Sequence, residues 1–287
     1  MIPGRFTYHR PASVAEAVGL LASLGEEARP LAGGHSLIPM MKLRMAQPEH
    51  LVDLGKIPGL KDIRQDGNDL VIGAMTTQAE IIASPLLADK APILIEAAKV
   101  IADPQVRYAG TIGGNVANGD PGNDMPGLML CLDARYNLVG AGGNRQVPAR
   151  DFYEAAYFTK LETGEILTEL RFALPATGHG WAYEKLKRKI GDYAVAAAAV
   201  TLSMSGGKCT AASIALTNVG QTPLLAADAA KALIGSSIDT AAIDAAATAA
   251  MAVADPTTDT RGPVEYRRSV LGVMVRRAID HAKTRAR

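Results

Sequence analysis

Hydrophobic and polar positions change period along this chain in three stages. In residues 1–55, "RFTYHR", "ARPLAGG" and "HLVDLGKI" are short strand-like runs. Between the first two, "SVAEAVGLLASLG" carries apolar residues at helical spacing, with Ser13 three positions before Glu16 as a capping box and Gly25 near the end. This predicts a small β-α-β-like unit whose glycine turn follows a strand, where α/β folds bind ligands. In residues 56–177, "LKDIRQDGNDLVIGAMTT" reads as two strands joined at Asp66-Gly67-Asn68, and "PILIEAAKVIA" as a helix. "MLCLDARYNLVGAGGNRQVPARDF" reads as a second hairpin, and "EILTELRFAL" as an alternating strand before Pro175. The middle of the chain is therefore expected to be α+β with mainly antiparallel pairing.

"ATGHG" reads as a linker into residues 178–287. There "GWAYEKLKRK", "AVAAAAVTLSM" and "CTAASIALTNVG" predict a three-stranded sheet with a turn at Gly206-Gly207. "PLLAADAAKALIG", "TAAIDAAATAAMAVA" and "EYRRSVLGVMVRRAIDHAKTR" predict helices. Leucine, isoleucine, methionine and valine interrupt the alanine tracts, which favours tightly packed helices over low complexity. No internal repeat is visible. The expected fold class is α+β, in three subdomains at 1–55, 56–177 and 178–287.

Composition narrows the partners. Thirty basic residues nearly balance 29 acidic ones, so no field points to nucleic acid or to an anionic membrane. The N-terminus lacks the apolar core of a secretory signal and no run is long enough to span a bilayer, so a cytoplasmic location is expected. Cys131 and Cys209 are isolated, fit a reducing compartment, and supply neither a zinc pair nor an iron–sulfur set. No metal site is expected on this chain.

One stretch fits no period. "GTIGGNVANGDPGNDMP", residues 110–126, is so rich in glycine, asparagine and aspartate that neither strand nor helix is expected there. Its "TIGGN" (111–115) echoes "AGGHS" (32–36), each pairing glycines with a small hydroxyl residue. Paired glycines let successive backbone N–H groups converge on an anion, and Ser36 and Thr111 add hydroxyls, so two such loops meeting would suit a pyrophosphate. A glycine pair is more commonly a plain turn, and neither stretch fits G-x-G-x-x-G or a Walker loop, which argues against a Rossmann NAD or triphosphate site. On the residues alone, a cleft for a phosphorylated ligand and a pair of turns both stay open.

"ARPLAGGHSLIPMMKLRMAQPEHLVDL", "GTIGGNVANGDPGNDMP" and "GWAYEKLKRKIGDYA" resemble, in order and spacing, the FAD-binding medium subunits of the molybdenum hydroxylases, and within that family the aerobic carbon monoxide dehydrogenase branch. The resemblance runs from "FTYHRPASVAEAV" to "RGPVEYRRSVLGVMVRRA". It implies that Ala32, Gly33, Gly34, His35, Ser36 and Leu37, with Thr111, Ile112, Gly113, Gly114 and Asn115, hold the FAD pyrophosphate. It further implies that Asp124 hydrogen-bonds the cofactor, that Leu167 lies near the flavin ring, and that Lys185 and Tyr193 belong to a stretch at the isoalloxazine. Tyr193 contacts the ring with no acid–base role, and its aromatic character leans toward the carbon monoxide branch. Each residue also has a plainer reading. Asp124 would cap a helix beginning "PGLMLCL", His35 would be a general base, Tyr193 a core residue, and "KLKRK" a solvated strand face or a docking surface.

The implied activity is electron transfer. FAD, bound non-covalently, takes electrons from [2Fe-2S] clusters on a small partner subunit and passes them to an external acceptor such as a quinone. The molybdenum cofactor sits on a large partner subunit that oxidises carbon monoxide, in a dimer of heterotrimers. Association with the inner face of the cytoplasmic membrane is left open. Alternatives are the same subunit in an enzyme acting on a purine, nicotine or an aldehyde, or a non-catalytic assembly protein. The cysteine-bearing insertion of the relative that reduces 4-hydroxybenzoyl-CoA is absent from the sequence.

Overall fold

The first short runs pair in parallel because each return passes through a helix. In the computed structural model, which describes residues 2–287, these elements are β1 (Thr7–His9), α1 (Val14–Leu24), β2 (Ala28–Leu31), α2 (Leu37–Lys42) and β3 (His50–Asp53). The sheet order is β1-β3-β2, parallel throughout. Ser13 caps α1 by accepting the Glu16 N–H at 3.1 Å. The Glu16 carboxylate reaches the Ala12 N–H instead of that of Ser13, so the expected capping box closes one residue early. α1 lays Ala17, Val18 and Leu21 over Val52 of β3.

The middle sheet is antiparallel, in the order β4-β5-β10-β6-β7. β4 (Ile63–Asp66) and β5 (Asp69–Gly73) form the expected hairpin, followed by helices α3 (Gln78–Ala83), α4 (Pro85–Lys90), α5 (Pro92–Val100) and α6 (Pro104–Ala109). Next come α7 (Ile112–Ala117), α8 (Asp124–Cys131), the hairpin of β6 (Arg135–Gly140) and β7 (Gly143–Pro148), α9 (Ala149–Phe152), the small pair β8 (Tyr153–Ala155) and β9 (Phe158–Thr159), and β10 (Ile166–Ala173).

The expectation of no helix in residues 110–126 is overturned, since α7 lies within the stretch and α8 begins in it. The Thr111 hydroxyl caps α7 by accepting the Gly114 N–H at 3.0 Å. Asn115 then ties α7 to α8: its Oδ1 accepts the Met125 N–H at 3.2 Å and its carbonyl accepts Asn123 Nδ2 at 2.8 Å. Glycine costs a helix about 1 kcal/mol relative to alanine. At Gly113 the cost is offset by packing, because a Cβ there would stand 2.5 Å from that of Ala74. α8 is buried along its whole length.

The last sheet has four strands, one more than expected. They are β11 (Gly180–Leu186), β12 (Ala196–Ser205), β13 (Lys208–Thr217) and β14 (Leu224–Leu225), antiparallel in that order. β14 was hidden at the head of the alanine-rich segment expected as helix, which starts only at α10 (Ala227–Leu233) and continues in α11 (Thr240–Val253) and α12 (Val264–Arg285). The alanines of β12 have a positional reason. Ala197 and Ala199 face the core shared with α8, while Ala196, Ala198 and Val200 face the core shared with α12, so the strand is buried on both faces. At the far end of α12, Arg285 stacks over Trp181 at 3.9 Å and pairs with Glu96 of α5, joining the two cores.

Arg267 of α12 is a charged residue inside that core, with 2% of its side chain exposed. Its guanidinium donates to the carbonyls of Val195, Thr257 and Asn218 and lies 3.3 Å from Asp259. Removing one partner of such a set leaves buried acceptors unpaired, at a cost of about 3–5 kcal/mol. Arg267→Met is therefore expected to lower the unfolding free energy read by chemical denaturation by that order, with Arg267→Lys recovering only part because an ammonium cannot span three carbonyls. A wild-type midpoint for Arg267→Met would show that the network contributes nothing.

Candidate functional site

A cleft of about 500 Å³ opens where the loop after β2 meets α7, the start of α8, β10 and β11. All the candidate residues named from the sequence line it except Ile112, whose side chain is fully buried in the middle core.

The two glycine stretches meet, and they are not equivalent. A Cβ on Gly33 would fall 2.1 Å from the Ala109 carbonyl oxygen and 2.9 Å from the Gly110 Cα. Glycine is required there first by the opposing backbone. Gly34 is the member of the first stretch with positive φ, at 72°. Among the described residues, the N–H groups of Gly33, Gly34, His35 and Ser36 donate to no protein acceptor. His35 braces the same turn through Nδ1 to the Gly33 carbonyl at 2.7 Å, so one ring nitrogen is committed to the loop. In the second stretch the N–H groups of Ile112, Gly113, Gly114 and Asn115 are consumed internally by Thr76, Ala74 and Thr111. The expected pair of anion-cradling loops is thus one open row of amides facing a closed helix start.

Asp124 opens α8 without capping it. Its carboxylate accepts the Tyr183 hydroxyl at 2.6 Å and the Lys185 ammonium at 2.7 Å, with only 5% and 2% of the Asp124 and Lys185 side chains exposed. Burial and the adjacent Asp124 push the Tyr183 phenol far above its ordinary range, so it remains a donor. The "KLKRK" run is accordingly not a plain solvated face, since the strand ends at Leu186 and Lys185 is turned inward.

Tyr193 stands at the cleft edge, 40% exposed, and is not a core residue. Its hydroxyl donates to Asp120 at 2.8 Å, and the Arg261 guanidinium lies 5.3 Å from its ring centroid. Burial and Asp120 raise its pKa. Sequence reasoning missed Asp120, Arg261 and Gln78. Gln78 opens α3 and lines the cleft at 1% exposure, and both polar atoms of its side chain lack a partner. Thr77 and Glu80 form a full capping box around it, a sequence signal that marks the helix start. Four unspent amides and an orphaned buried amide along one cleft fit a long ligand with an anionic section and further hydrogen-bonding groups.

The glycine geometry orders three substitutions. Gly33→Ala sets a Cβ against backbone that cannot rotate away, and is expected to lower the unfolding free energy of the full chain most, by about 1–3 kcal/mol, read from its urea midpoint. Gly34→Ala meets only the end of Ile38 but carries about 1–2 kcal/mol of left-handed strain. Gly114→Ala disturbs one hydroxyl cap, worth about 1 kcal/mol. Equal midpoints for all three would mean that the seam between the loops is not closed.

The family model described as the FAD binding domain in molybdopterin dehydrogenase matches residues 4–176, and that of the CO dehydrogenase flavoprotein C-terminal domain matches residues 181–282. The chain is 63% identical over 287 residues to the carbon monoxide dehydrogenase medium chain of Afipia carboxidovorans, covering 100% of both. It is 50% identical over 285 residues to the medium chain of the same name from Hydrogenophaga pseudoflava, covering 99% of each. A crystal structure of the Cu,Mo-CO dehydrogenase in its cyanide-inactivated form matches with a TM-score of 0.99 at 63% identity over the whole of both chains. With the fold and both halves of the sequence in agreement, the chain belongs to the FAD-binding medium-chain family of the molybdopterin dehydrogenases, in its carbon monoxide dehydrogenase branch.

Proposed function

We propose that this chain is the electron-transferring FAD subunit of a molybdenum hydroxylase that oxidises carbon monoxide on the cytoplasmic side of the cell. In that reading a small partner subunit delivers electrons from [2Fe-2S] clusters, a large one carries the molybdenum cofactor, and a quinone or similar carrier accepts the electrons, in a dimer of heterotrimers. We further propose that residues 1–55 and 56–177 together hold the cofactor and that 178–287 closes over it. The observation that carries the reading is the open row of amides at Gly33 to Ser36, facing a cleft that also contains the Asp124–Lys185 pair and Tyr193. Two relatives named as carbon monoxide dehydrogenase medium chains support the choice of substrate.

FAD, when bound, supplies the interconversion of one-electron and two-electron transfer. The chain's own residues bind and orient. The amides of Gly33, Gly34, His35 and Ser36 donate to pyrophosphate oxygens. The Ser36 and Thr111 hydroxyls add donors, with Thr111 keeping its hydrogen because its oxygen accepts from Gly114. Leu167, 5% exposed, and neighbouring Ile166 give a dry wall. Asp124 and Lys185 offer an acceptor and a donor to polar groups of the ring system, and Tyr193 offers its face. Gln78 presents an amide able to both donate and accept.

Attachment is non-covalent in this reading. Cys131 lies inside the core with its thiol pushed up to about 11 by burial, and His35 is tied to its own loop. The full chain supplied with FAD is expected to show flavin absorbance and to release all of it on acid precipitation. Alone it should not oxidise carbon monoxide, and with both partner subunits it should. A folded chain that takes up no FAD, or colour that stays in the acid pellet, would overturn the reading.

Gln78 gives a sharper test of the cleft. An orphaned buried amide costs the ligand-free protein about 1–3 kcal/mol. Gln78→Met keeps the volume and removes both polar atoms, so the ligand-free chain should melt at or above the wild-type temperature while FAD affinity falls about tenfold, equivalent to about 1.4 kcal/mol. Unchanged affinity would show that Gln78 does not meet the ligand.

A further inference from the structure

Where α5 ends, three consecutive carbonyls each face a cation. Arg107 donates to the carbonyls of Ile101 at 2.8 Å and Lys99 at 3.4 Å. Lys187 donates to the Val100 carbonyl at 2.9 Å, and Lys185 reaches the same oxygen at 3.4 Å. The chain then passes through Ala102 at φ 41°, a left-handed conformation that alanine seldom adopts. Ile101 and Ala102 both line the cleft, so this collar of cations fastens a strained turn to the wall.

The charges in the collar do not balance. Lys185 is matched by Asp124 at 2.7 Å. Among the described residues, Arg107 and Lys187 have no carboxylate at ion-pair distance. Burial, with Lys185 and Arg107 nearby, lowers the Lys187 pKa despite the opposing pull of Asp124. A carbonyl oxygen has two lone pairs and a helix C-terminus favours cations, so the two contacts at Val100 are ordinary in themselves; the charge of Lys187 and Arg107 is what stays unmatched. An anionic ligand in the cleft would match that charge.

Resting on the FAD reading above, we propose that Lys187, together with Arg107, is a positioning residue of the electron-transfer site. It ties the 99–102 turn to the cleft wall and leaves that wall with excess positive charge, so that the site holds the reduced, more electron-rich cofactor more tightly than the oxidised one. Neither side chain lines the cleft. Their influence passes through the turn they hold and through their field, which solvent weakens because both side chains are partly exposed.

The test uses the full chain loaded with FAD as wild type, Lys187→Met and Lys187→Arg. Potentiometric titration is read beside the dissociation constant of oxidised FAD. Lys187→Met is expected to weaken the preference for reduced over oxidised cofactor about tenfold, which lowers the two-electron midpoint by about 30 mV. Oxidised FAD affinity should change less than threefold, and Lys187→Arg should restore the wild-type potential. An unchanged potential, an equal loss of affinity in both redox forms, or a failure of arginine to restore would overturn the inference. Should Lys187→Met not fold, Arg107→Gln is read in the same way. A wild-type chain that binds FAD but shows no shift in any variant sinks this inference alone, whereas one that binds no FAD sinks the FAD reading and the inference with it.

Discussion

The ion pair between Asp124 and Lys185 is the contact on which the rest of the site depends. It joins the first residue of the buried helix α8 to strand β11 of the last sheet, and the same ammonium reaches on to the end of α5. Taking two charges out of water carries a penalty of several kcal/mol per ion, which close geometry and further hydrogen bonds must offset. Here Tyr183 supplies one such bond to Asp124, and the start of α8 favours a negative group. An apolar pair of the same volume would hold the two elements together as well. Only a charged pair leaves polar groups facing a cleft, and that explains why the fold keeps it.

Around this contact the three sheets divide the work. The parallel sheet ends in the turn that bears the open amides. The antiparallel middle sheet supplies β5 and β10 as a stiff floor under α7, with the Ala74 N–H bonded to the Thr168 carbonyl and the Ala74 carbonyl accepting the Gly113 N–H. The last sheet is sandwiched between two cores, which fixes the height of β11 and so of Lys185. The anchoring of Arg285 on Trp181 and Glu96 draws the end of α12 to α5, beside the turn that the cation collar holds.

Much of this was legible in the sequence, and the failures share a cause. Period and turn residues found α1, the β4–β5 hairpin, β10 and the long C-terminal strands and helices, because each of these buries one regular face or is bounded by Gly, Pro or Asp. They failed at α7, where Gly113 is chosen by Ala74 across the contact rather than by local preference. They failed likewise at β14, which exists only because β13 offers it an edge. The residues named from the family resemblance line one cleft except Ile112, whose neighbours in the motif line it while its own side chain is buried in the core. Gln78 is flanked by a capping box and Lys187 lies in the "KLKRK" run, yet neither signal, nor any at Arg107, names a role for the side chain. Their roles come from orphaned atoms and unmatched charges, which appear only once distant segments are brought together.

The unspent amides at Gly33 to Ser36 also bear on the protein's life before it meets a partner. Those amides have no protein acceptor and are converged only when the turn is folded, so a ligand held by them favours the native state. Stabilisation then grows with the logarithm of free ligand over its dissociation constant, about 2.7 kcal/mol at a hundredfold excess. Differences of that size change how often a chain opens to proteases and chaperones, and so how much of it accumulates. A supply of cofactor thereby adds to the stability of the chain before it is assembled.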